Sequence, residues 1–322
     1  MNPTGAMTST QASTRAAREL ESLRPLLFSI AYRMLSSVGE AEDVVQEAFL
    51  RYEAALRDGV DVDSAKAYLS AVVTRLSIDQ LRSARARRET YVGEWLPEPL
   101  PTDDDGTDPA EQVETAETLA MAFLLVLERL NPVERAVFLL HDVFAYDYPE
   151  IARMVGKTEV NSRQIAARAR RRVQAERPQL DPPDGEQRDL ARRFFAALSD
   201  GDVDGLASTL AKDAVVYGDG GGKAPQWSAP IVGLDRVAPL LIGVGAQMRD
   251  HGARLELRSF NGQPGAIVRA ADGGLVNVLV LDIVDGRVTA VRSVINPDKL
   301  RHLGRMADVR ALLRAASKGS TE

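Results

Sequence analysis

Apolar residues recur every three or four positions through the first part of the chain, which is the spacing of amphipathic helices. The pattern covers Leu20–Met34, Val44–Leu56 and Leu69–Leu81, and it predicts three helices packed as one bundle. The break at Asp58–Ser64 contains a glycine and several side chains that compete with helical hydrogen bonds. We therefore expect an exposed loop between the second and third helices.

A second helical block begins after a Pro-rich and acidic stretch. Asn131-Pro-Val-Glu134 combines a capping residue, a proline at the first helical position and a capping-box acid. Asp147-Tyr-Pro-Glu150 repeats this signal, and the short helix that it starts should end at Gly156. An Arg-rich helix follows, so the pattern predicts a helix-turn-helix.

Beyond Pro178–Asp184 the pattern changes to α+β. Apolar segments from Leu255 to Val294 are separated by Asn-Gly, Asp-Gly-Gly and Asp-Gly turn signals, which predicts an antiparallel meander curled around helices. A last helix is expected from about Asp298 to Leu313, capped by Asn296-Pro297. The fold class is thus multidomain, with two all-α domains followed by an α+β domain.

Domain limits follow from these changes of pattern. We expect a disordered leader (1–17), a helical domain (18–92), an acidic Pro-rich linker (93–115), a helix-turn-helix domain (116–178), a short linker (179–185), an α+β domain (186–300), and a C-terminal helix and tail (301–322).

Charge is distributed unevenly along the chain. The net charge is −6, yet Arg75–Arg88 holds five arginines and one acid, and Asn161–Arg172 holds five arginines and no acid. Glu94–Glu117 carries nine acids and no lysine or arginine. Because arginines are concentrated in these two segments, the acidic average does not exclude a nucleic-acid partner.

Composition excludes several classes of site. The chain has 0 cysteines and 3 histidines, so a disulfide framework, a thiol nucleophile or a His-rich metal site is not expected. We predict no cofactor and no metal. No apolar run is long enough to span a bilayer and no signal-like segment is present, so we expect a cytoplasmic protein without a membrane partner.

The second helix of the predicted helix-turn-helix carries residues suited to DNA. Residues at its N-terminal end would face base edges, and arginines further along would hold phosphates. The candidates are Asn161, Ser162, Arg163, Gln164, Arg168, Arg171 and Arg172. A solvated face of an ordinary helical hairpin is the alternative. The second basic helix, with Arg75, Arg82, Arg85 and Arg88, favours DNA because two linked modules can engage separated sites.

These segments resemble a known family. Ala41–Arg51, Ala67–Arg75 and Asp79–Arg82 resemble the second conserved region of the extracytoplasmic-function (ECF) sigma factors of bacterial RNA polymerase. Leu130–Arg135, Glu150–Ala152 and Arg163–Arg170 resemble their fourth region. Trp95–Pro99, Asp219–Lys223 and Asn296–Leu300 resemble the subgroup with a fused, cone-shaped SnoaL-like domain.

The resemblance implies promoter-specific initiation with core RNA polymerase and roles for individual residues. Asp43, Gln46, Glu47 and Arg51 would dock on the polymerase, whose contacts would be the clamp of the β′ subunit and the flap of the β subunit. The loop Asp58–Ser64 would accept a flipped base. The acidic linker would pass near the RNA exit path, or serve as a solubilising spacer.

The resemblance also implies that the SnoaL-like domain modulates promoter activity. Its predicted strands contain no histidine, so we expect a regulatory domain and not an enzyme. Its expected contacts with the sigma core are Asp219, Gly220, Gly221, Gly222, Lys223, Asn296, Pro297, Asp298, Lys299 and Leu300. Trp227 would mark a small-molecule ligand site or be an ordinary core aromatic.

Two alternative functions stay open at the level of sequence. One is a stand-alone helix-turn-helix regulator. The other is a C-terminal isomerase or cyclase that uses Asp282, the main acid within a predicted strand.

Overall fold

A computed structural model describes residues 9–88, 91–102, 116–181, 185–227 and 229–308, and the side chains of 9–19 and 84–88 lie outside this description. Contacts divide the chain into two compact units. The first contains Met1–Ala84 and Leu130–Gln174, and the second contains Arg85–Arg129 and Ala175–Glu322. Each unit is therefore assembled from segments that are distant in sequence.

The first three helices are α1 (Ser9–Leu35), α2 (Val38–Arg57) and α3 (Ala65–Arg88). Helix α1 begins inside the stretch predicted as a leader. The loop at 58–64 is exposed, as expected. On α3 the buried apolar residues are Leu69, Val73, Ile78 and Leu81, whereas Val72 and Leu76 are half-buried. Val72 and Leu76 thus lie at the margin of the packed face of α3.

Four helices follow, namely α4 (Met121–Leu127), α5 (Pro132–Phe138), α6 (Tyr148–Val155) and α7 (Glu159–Glu176). Both predicted capping boxes are present, one at Asn131 and Glu134 and the other at Asp147 and Glu150. Gly156 ends α6 in the left-handed conformation, with φ 65°, which glycine adopts without steric cost. The predicted helix-turn-helix is confirmed.

The helix-turn-helix segment packs directly against the N-terminal helices within the first unit. Arg135 is fully buried, and its Nη1 donates to the carbonyl of Met34 at 2.6 Å. Burial lowers the pKa of Arg135 to about 9, because the charged form loses hydration. Ser70 and Tyr146 share a buried hydrogen bond of 2.8 Å. No local sequence signal predicted that these two segments form one unit.

The second unit is built around a six-stranded sheet with α8 (Gly185–Asp200), α9 (Val203–Thr209) and α10 (Leu234–Asp250). Its strands are β1 (Leu210–Asp219), β2 (Ile231–Val232), β3 (Arg254–Phe260), β4 (Gln263–Arg269), β5 (Leu275–Val284) and β6 (Arg287–Val294). Strands β3 to β6 form the predicted antiparallel meander. The two helical regions and the α+β unit confirm the predicted fold class.

Two features of this unit differ from the sequence prediction. Strand β1 was not predicted, and it pairs with β6 in parallel because α8 and α9 bring it to that edge. Up to residue 308, the described part of the helix expected from Asp298 to Leu313 consists of α11 (Pro297–Leu300) and one 3₁₀ turn. The chain then extends beside Leu275, where the Leu275 amide donates to the Arg305 carbonyl. Residues 309–322 lie outside the described part.

Candidate nucleic-acid interface

The recognition face of the helix-turn-helix is the solvent-exposed side of α7. Asn161, Gln164, Arg168 and Arg171 are exposed and lie at i, i+3, i+7 and i+10, so they share one face. Ser162 differs, because it is fully buried and its hydroxyl donates to the Thr158 carbonyl at 3.0 Å. The prediction that Ser162 reads DNA is therefore wrong in this structure. The residue lies on the packed side of α7, and its hydroxyl bonds to the backbone at the start of the helix.

Two further predicted arginines on this helix have protein partners. Arg163 is exposed, pairs with Glu159, and lies 4.7 Å from the centroid of the Tyr148 ring. Arg172 Nη1 lies 2.8 Å from Oε2 of the buried Glu134. The guanidinium of Arg172 therefore links α7 to α5. It is oriented by a carboxylate that belongs to a capping box.

The basic residues of α3 have different surroundings. Arg75 donates from Nε to the Met154 carbonyl at 2.9 Å and from Nη2 to the Arg153 carbonyl at 2.7 Å. Arg82 is exposed and pairs only locally with Asp79. Arg75 thus caps the C-terminal end of α6 inside the first unit, where cations are favoured. The side chains of Arg85 and Arg88 lie outside the described residues.

A polar stripe runs along α2. Asp43, Gln46 and Arg51 are exposed, and the half-buried Glu47 accepts from Arg51 Nε at 2.8 Å. Leu50 lies in the same stripe with 55% of its surface exposed. Leu50 was not predicted as a docking residue, although it follows Asp43 by seven positions and so lies on the same helix face.

Three side chains of the second unit hold the start of the predicted linker, and we call Asp219, Asn296 and Lys299 the linker clasp. Asp219 is fully buried and accepts hydrogen bonds from the Tyr91 hydroxyl and from the Leu96 amide, the latter at 2.8 Å. Asn296 donates to the Tyr91 oxygen at 2.8 Å. Burial and the Asp219 carboxylate raise the pKa of Tyr91 above its usual value of 10.0.

Lys299 completes the clasp. Its ammonium donates to Asp219 Oδ2 at 2.7 Å and to the Leu96 carbonyl, and it lies 4.2 Å from the centroid of the Trp95 ring. A carboxylate, a carbonyl and an aromatic face therefore replace the water that a buried ammonium loses. Leu96 itself is buried in an apolar cluster with Phe260, Met121 and Leu300.

Further contacts hold the next residues of the linker on the second unit. The Asn261 side chain accepts from the Leu100 amide at 3.0 Å and donates to the Leu119 carbonyl at 3.0 Å. Pro101 forms an isolated bridge with Phe260, and His302 lies 2.7 Å from the Pro99 carbonyl. The sequence predicts only a turn at Asn261-Gly262. Nothing near that turn indicates that Asn261 bonds to Leu100, which lies 161 positions earlier.

The remaining predicted contacts lie beside the clasp. Lys223 pairs with Asp298, and Leu300 is fully buried. Gly221, with φ 57°, leaves no room for a Cβ, which would fall 2.2 Å from Asn296 Nδ2. Gly222 approaches Val92, Gly220 approaches the Ala224 carbonyl, and Pro297 opens α11. The structure brings the two motifs together around residues 91–96, whereas their regulatory role stays a prediction.

Asp282 is not among the described residues that line the cavity of the second unit. It forms a buried ion pair with Arg292, whose Nη2 lies 2.6 Å from Oδ2, and Arg292 in turn lies over the Tyr217 ring. The concave side of the sheet contains a cavity lined by Asn277 and Leu279 of the same strand, which alternate with Asp282. The carboxylate therefore lies on the opposite face, and its proposed use as a catalytic acid or base there is not supported.

Comparison with known proteins agrees with this arrangement. Residues 20–87 match the family model of sigma-70 region 2, and residues 120–173 match that of sigma-70 region 4. Among the described residues, no helix is both long and apolar enough to cross a bilayer.

The similarity extends beyond the helical regions. The ECF RNA polymerase sigma factor SigJ of Mycobacterium tuberculosis is 39% identical over 292 residues, covering 87% of this chain and 92% of SigJ. The probable sigma factor SigI of the same organism is 34% identical over 285 residues, covering 86% and 92%. The crystal structure of SigJ superposes with a TM-score of 0.69 at 36% identity, over 88% of this chain and 98% of SigJ.

Proposed function

We propose, since this chain belongs to the ECF sigma factors of bacterial RNA polymerase, that it recruits core polymerase to promoters and is regulated by its own C-terminal domain. The linker clasp is the observation that supports regulation by the C-terminal domain. Asp219, Asn296 and Lys299 hold residues that follow the region 2 match and precede the region 4 match.

Docking on polymerase is assigned to the α2 stripe. Asp43, Gln46, Glu47 and Arg51 surround the exposed Leu50, so the stripe combines an apolar centre with a charged rim. Protein interfaces commonly have this composition, because the apolar centre loses water on binding while the rim stays solvated. We assign this face to the β′ clamp, and region 4 to the β flap, from the family.

Promoter recognition is assigned to two basic surfaces. Asn161 and Gln164 would face base edges near the start of α7, and Arg168 and Arg171 would hold phosphates. Arg82 would bind the promoter backbone, and the loop 58–64 is the proposed pocket for a flipped base. Arg75 joins this surface only after it leaves the carbonyls of Met154 and Arg153.

The contact of Arg75 with α6 therefore represents a closed state of the sigma regions. The same guanidinium cannot cap α6 and bind a phosphate at once. Binding of separated promoter elements requires α3 and α6 to part, and polymerase docking would supply the free energy for that step. The clasp would bias this equilibrium because it fixes residues 91–102 on the C-terminal domain and so restricts how the two regions separate.

We further propose that the C-terminal domain acts by binding and not by catalysis. Among the described residues that line its cavity there is no Asp, Glu, His, Lys, Tyr or Cys, the side chains that usually act as general acids or bases. General acid–base chemistry requires such a group within reach of the substrate.

The test is transcription reconstituted with purified core polymerase on promoters enriched by the protein. Asp43→Ala should lower polymerase binding and transcript yield, whereas Glu42→Ala, an exposed acid next to the stripe, should change neither. Arg168→Ala should weaken promoter binding by the holoenzyme, and Arg193→Ala on α8 serves as the matched control. A chain that binds promoters specifically without polymerase, and tolerates Asp43→Ala, would instead be a stand-alone regulator.

A further inference from the structure

A cavity of about 500 Å³ lies between α8, α10 and the concave side of the sheet. Its walls are mostly apolar and include Trp227, Leu241, Met248, Val268 and Leu279. Drug-sized ligands occupy pockets of ~300–1,000 Å³, in which a few polar groups set the orientation. The cavity therefore has the size and the lining of a small-molecule site.

One polar cluster faces this apolar space. Asn277 and Ser293 are both buried, and Asn277 Nδ2 donates to Ser293 Oγ at 2.9 Å. Gln226 Nε2 donates to the same hydroxyl at 3.0 Å. An amide nitrogen carries two hydrogens, and Ser293 is the acceptor found for Asn277 Nδ2 among the described residues. The second hydrogen would be the donor to a ligand in the cavity.

The charges at the cavity restrict the ligand further. Arg249 and Arg254 are the charged side chains among the described lining residues, and both are exposed. Arg249 already donates to the Leu198 carbonyl at 2.9 Å. These cations repel a cationic ligand, but they remain hydrated and do not require an anionic one. We propose that the cavity binds an uncharged, largely apolar small molecule whose carbonyl oxygen accepts a hydrogen bond from Asn277.

The site is joined to the linker clasp through the chain itself. Val216 of the cavity and Asp219 of the clasp share β1, and Ser293 lies three residues before Asn296. The Gln226 side chain packs closely on Gly218 and Gly220, where an added Cβ would fall 2.4 Å and 3.0 Å from its carbon atoms. A ligand that bonds to Asn277 and Ser293 would therefore alter the hydrogen bond between Gln226 and Ser293. Ligand binding should therefore change how tightly the clasp holds the linker. This effect rests on the proposed function, whereas ligand binding itself does not.

Binding is tested with two neutral naphthalenes and the full chain. Prodan carries a dimethylamino group and a ketone, and 2-(dimethylamino)naphthalene lacks the ketone. We expect saturable binding of prodan, with quenching of Trp227 in a Trp95→Phe background, and an affinity at least fivefold above that of the second compound. Asn277→Leu should remove this difference while thermal unfolding shows an intact fold.

Two further variants locate the site. Met248→Trp should narrow the cavity and weaken both probes, whereas Leu257→Ser, at an exposed leucine on β3 outside the lining, should leave them unchanged. Equal affinity for the two naphthalenes in the unmodified chain would overturn the role of the carbonyl. Binding that survives Met248→Trp but is lost in Leu257→Ser would overturn the location.

The link to the clasp is measured separately by hydrogen exchange of the Leu96 amide with and without saturating prodan. We expect its exchange rate to change at least threefold, and Asn277→Leu to abolish the change. Unchanged exchange at proven saturation would overturn the coupling. Because this assay contains no polymerase, its outcome is independent of whether the chain directs transcription.

Discussion

The ammonium of Lys299 lies 2.7 Å from the carboxylate of Asp219, and both side chains are buried. Asp219 ends β1 and Lys299 lies in α11, so the pair joins two segments 80 residues apart. Between them passes the linker at Leu96, which bonds to both side chains. The buried carboxylate and ammonium therefore keep these further hydrogen bonds only when Leu96 of the linker is in place.

Removing the charge of Asp219 should release the linker. Asp219→Asn leaves the Lys299 ammonium buried without its anionic partner, and breaking a buried pair in this way costs about 3–5 kcal/mol. We expect a lower urea midpoint for the second unit and faster protease cleavage near residue 96. Asp213→Asn, at an exposed position of the same strand, is the control and should have little effect. Equal stability of both variants would contradict the role of the pair.

The raised pKa of Tyr91 makes the clasp sensitive to alkaline pH. Because the folded state holds the Tyr91 proton above the usual pKa of 10.0, it binds more protons than the unfolded chain in that range. The stabilisation is complete below pH 10 and declines as pH rises further, by up to about 1.4 kcal/mol per pH unit. Denaturation at pH 9 to 11 should show this slope, and Tyr91→Phe should reduce it. If Tyr91→Phe leaves the slope unchanged, the pH dependence of stability belongs to other groups.

A methyl group at Gly221 should disturb the clasp. Its φ of 57° is unfavourable for alanine by about 1–2 kcal/mol, and the new Cβ would lie 2.2 Å from Asn296 Nδ2. We expect Gly221→Ala to lower the free energy of unfolding by about 2 kcal/mol or more. Gly243→Ala, inside α10 with no atom near its added Cβ, should instead stabilise by about 0.5–1 kcal/mol. Chemical denaturation distinguishes the two directions.

Arg75 should stabilise the closed state of the sigma regions. Arg75→Ala removes two hydrogen bonds to the end of α6, worth on the order of 1 kcal/mol at this partly exposed position. Without DNA or polymerase, amide exchange at residues 152–156 should rise about fivefold. Arg82→Ala, which lacks these contacts, should not change it. Promoter binding by the holoenzyme should weaken in both variants, and a rise in exchange for Arg82→Ala alone would refute the assignment.

Local signals predicted most of the helices and the meander. The capping boxes at Asn131 and Asp147 lie within four residues of the helices that they start, so sequence alone suffices to find them. Strand β1 was missed because its pattern is broken by Lys212 and Asp213, and its partner β6 lies about 75 residues later. Parallel pairing leaves no local turn signal.

The candidate site was predictable to the extent that it depends on residue type along one helix face. Ser162 was misassigned because its neighbours Asn161 and Arg163 are both exposed, and only the packing of α7 shows which of the three lies inside. Asn261 and Leu50 were missed for a different reason. Their surroundings depend on segments that do not adjoin them in sequence, or on a partner surface.

The positions of the clasp residues along the chain also set the order in which the clasp forms during synthesis. Asp219 pairs in register with Val294, and the Lys299 ammonium follows five residues later. Both sigma regions and the linker therefore leave the ribosome before the last clasp residue exists. A nascent chain has an unrestrained linker until its α+β unit is complete, and a product truncated before Lys299 never acquires the restraint.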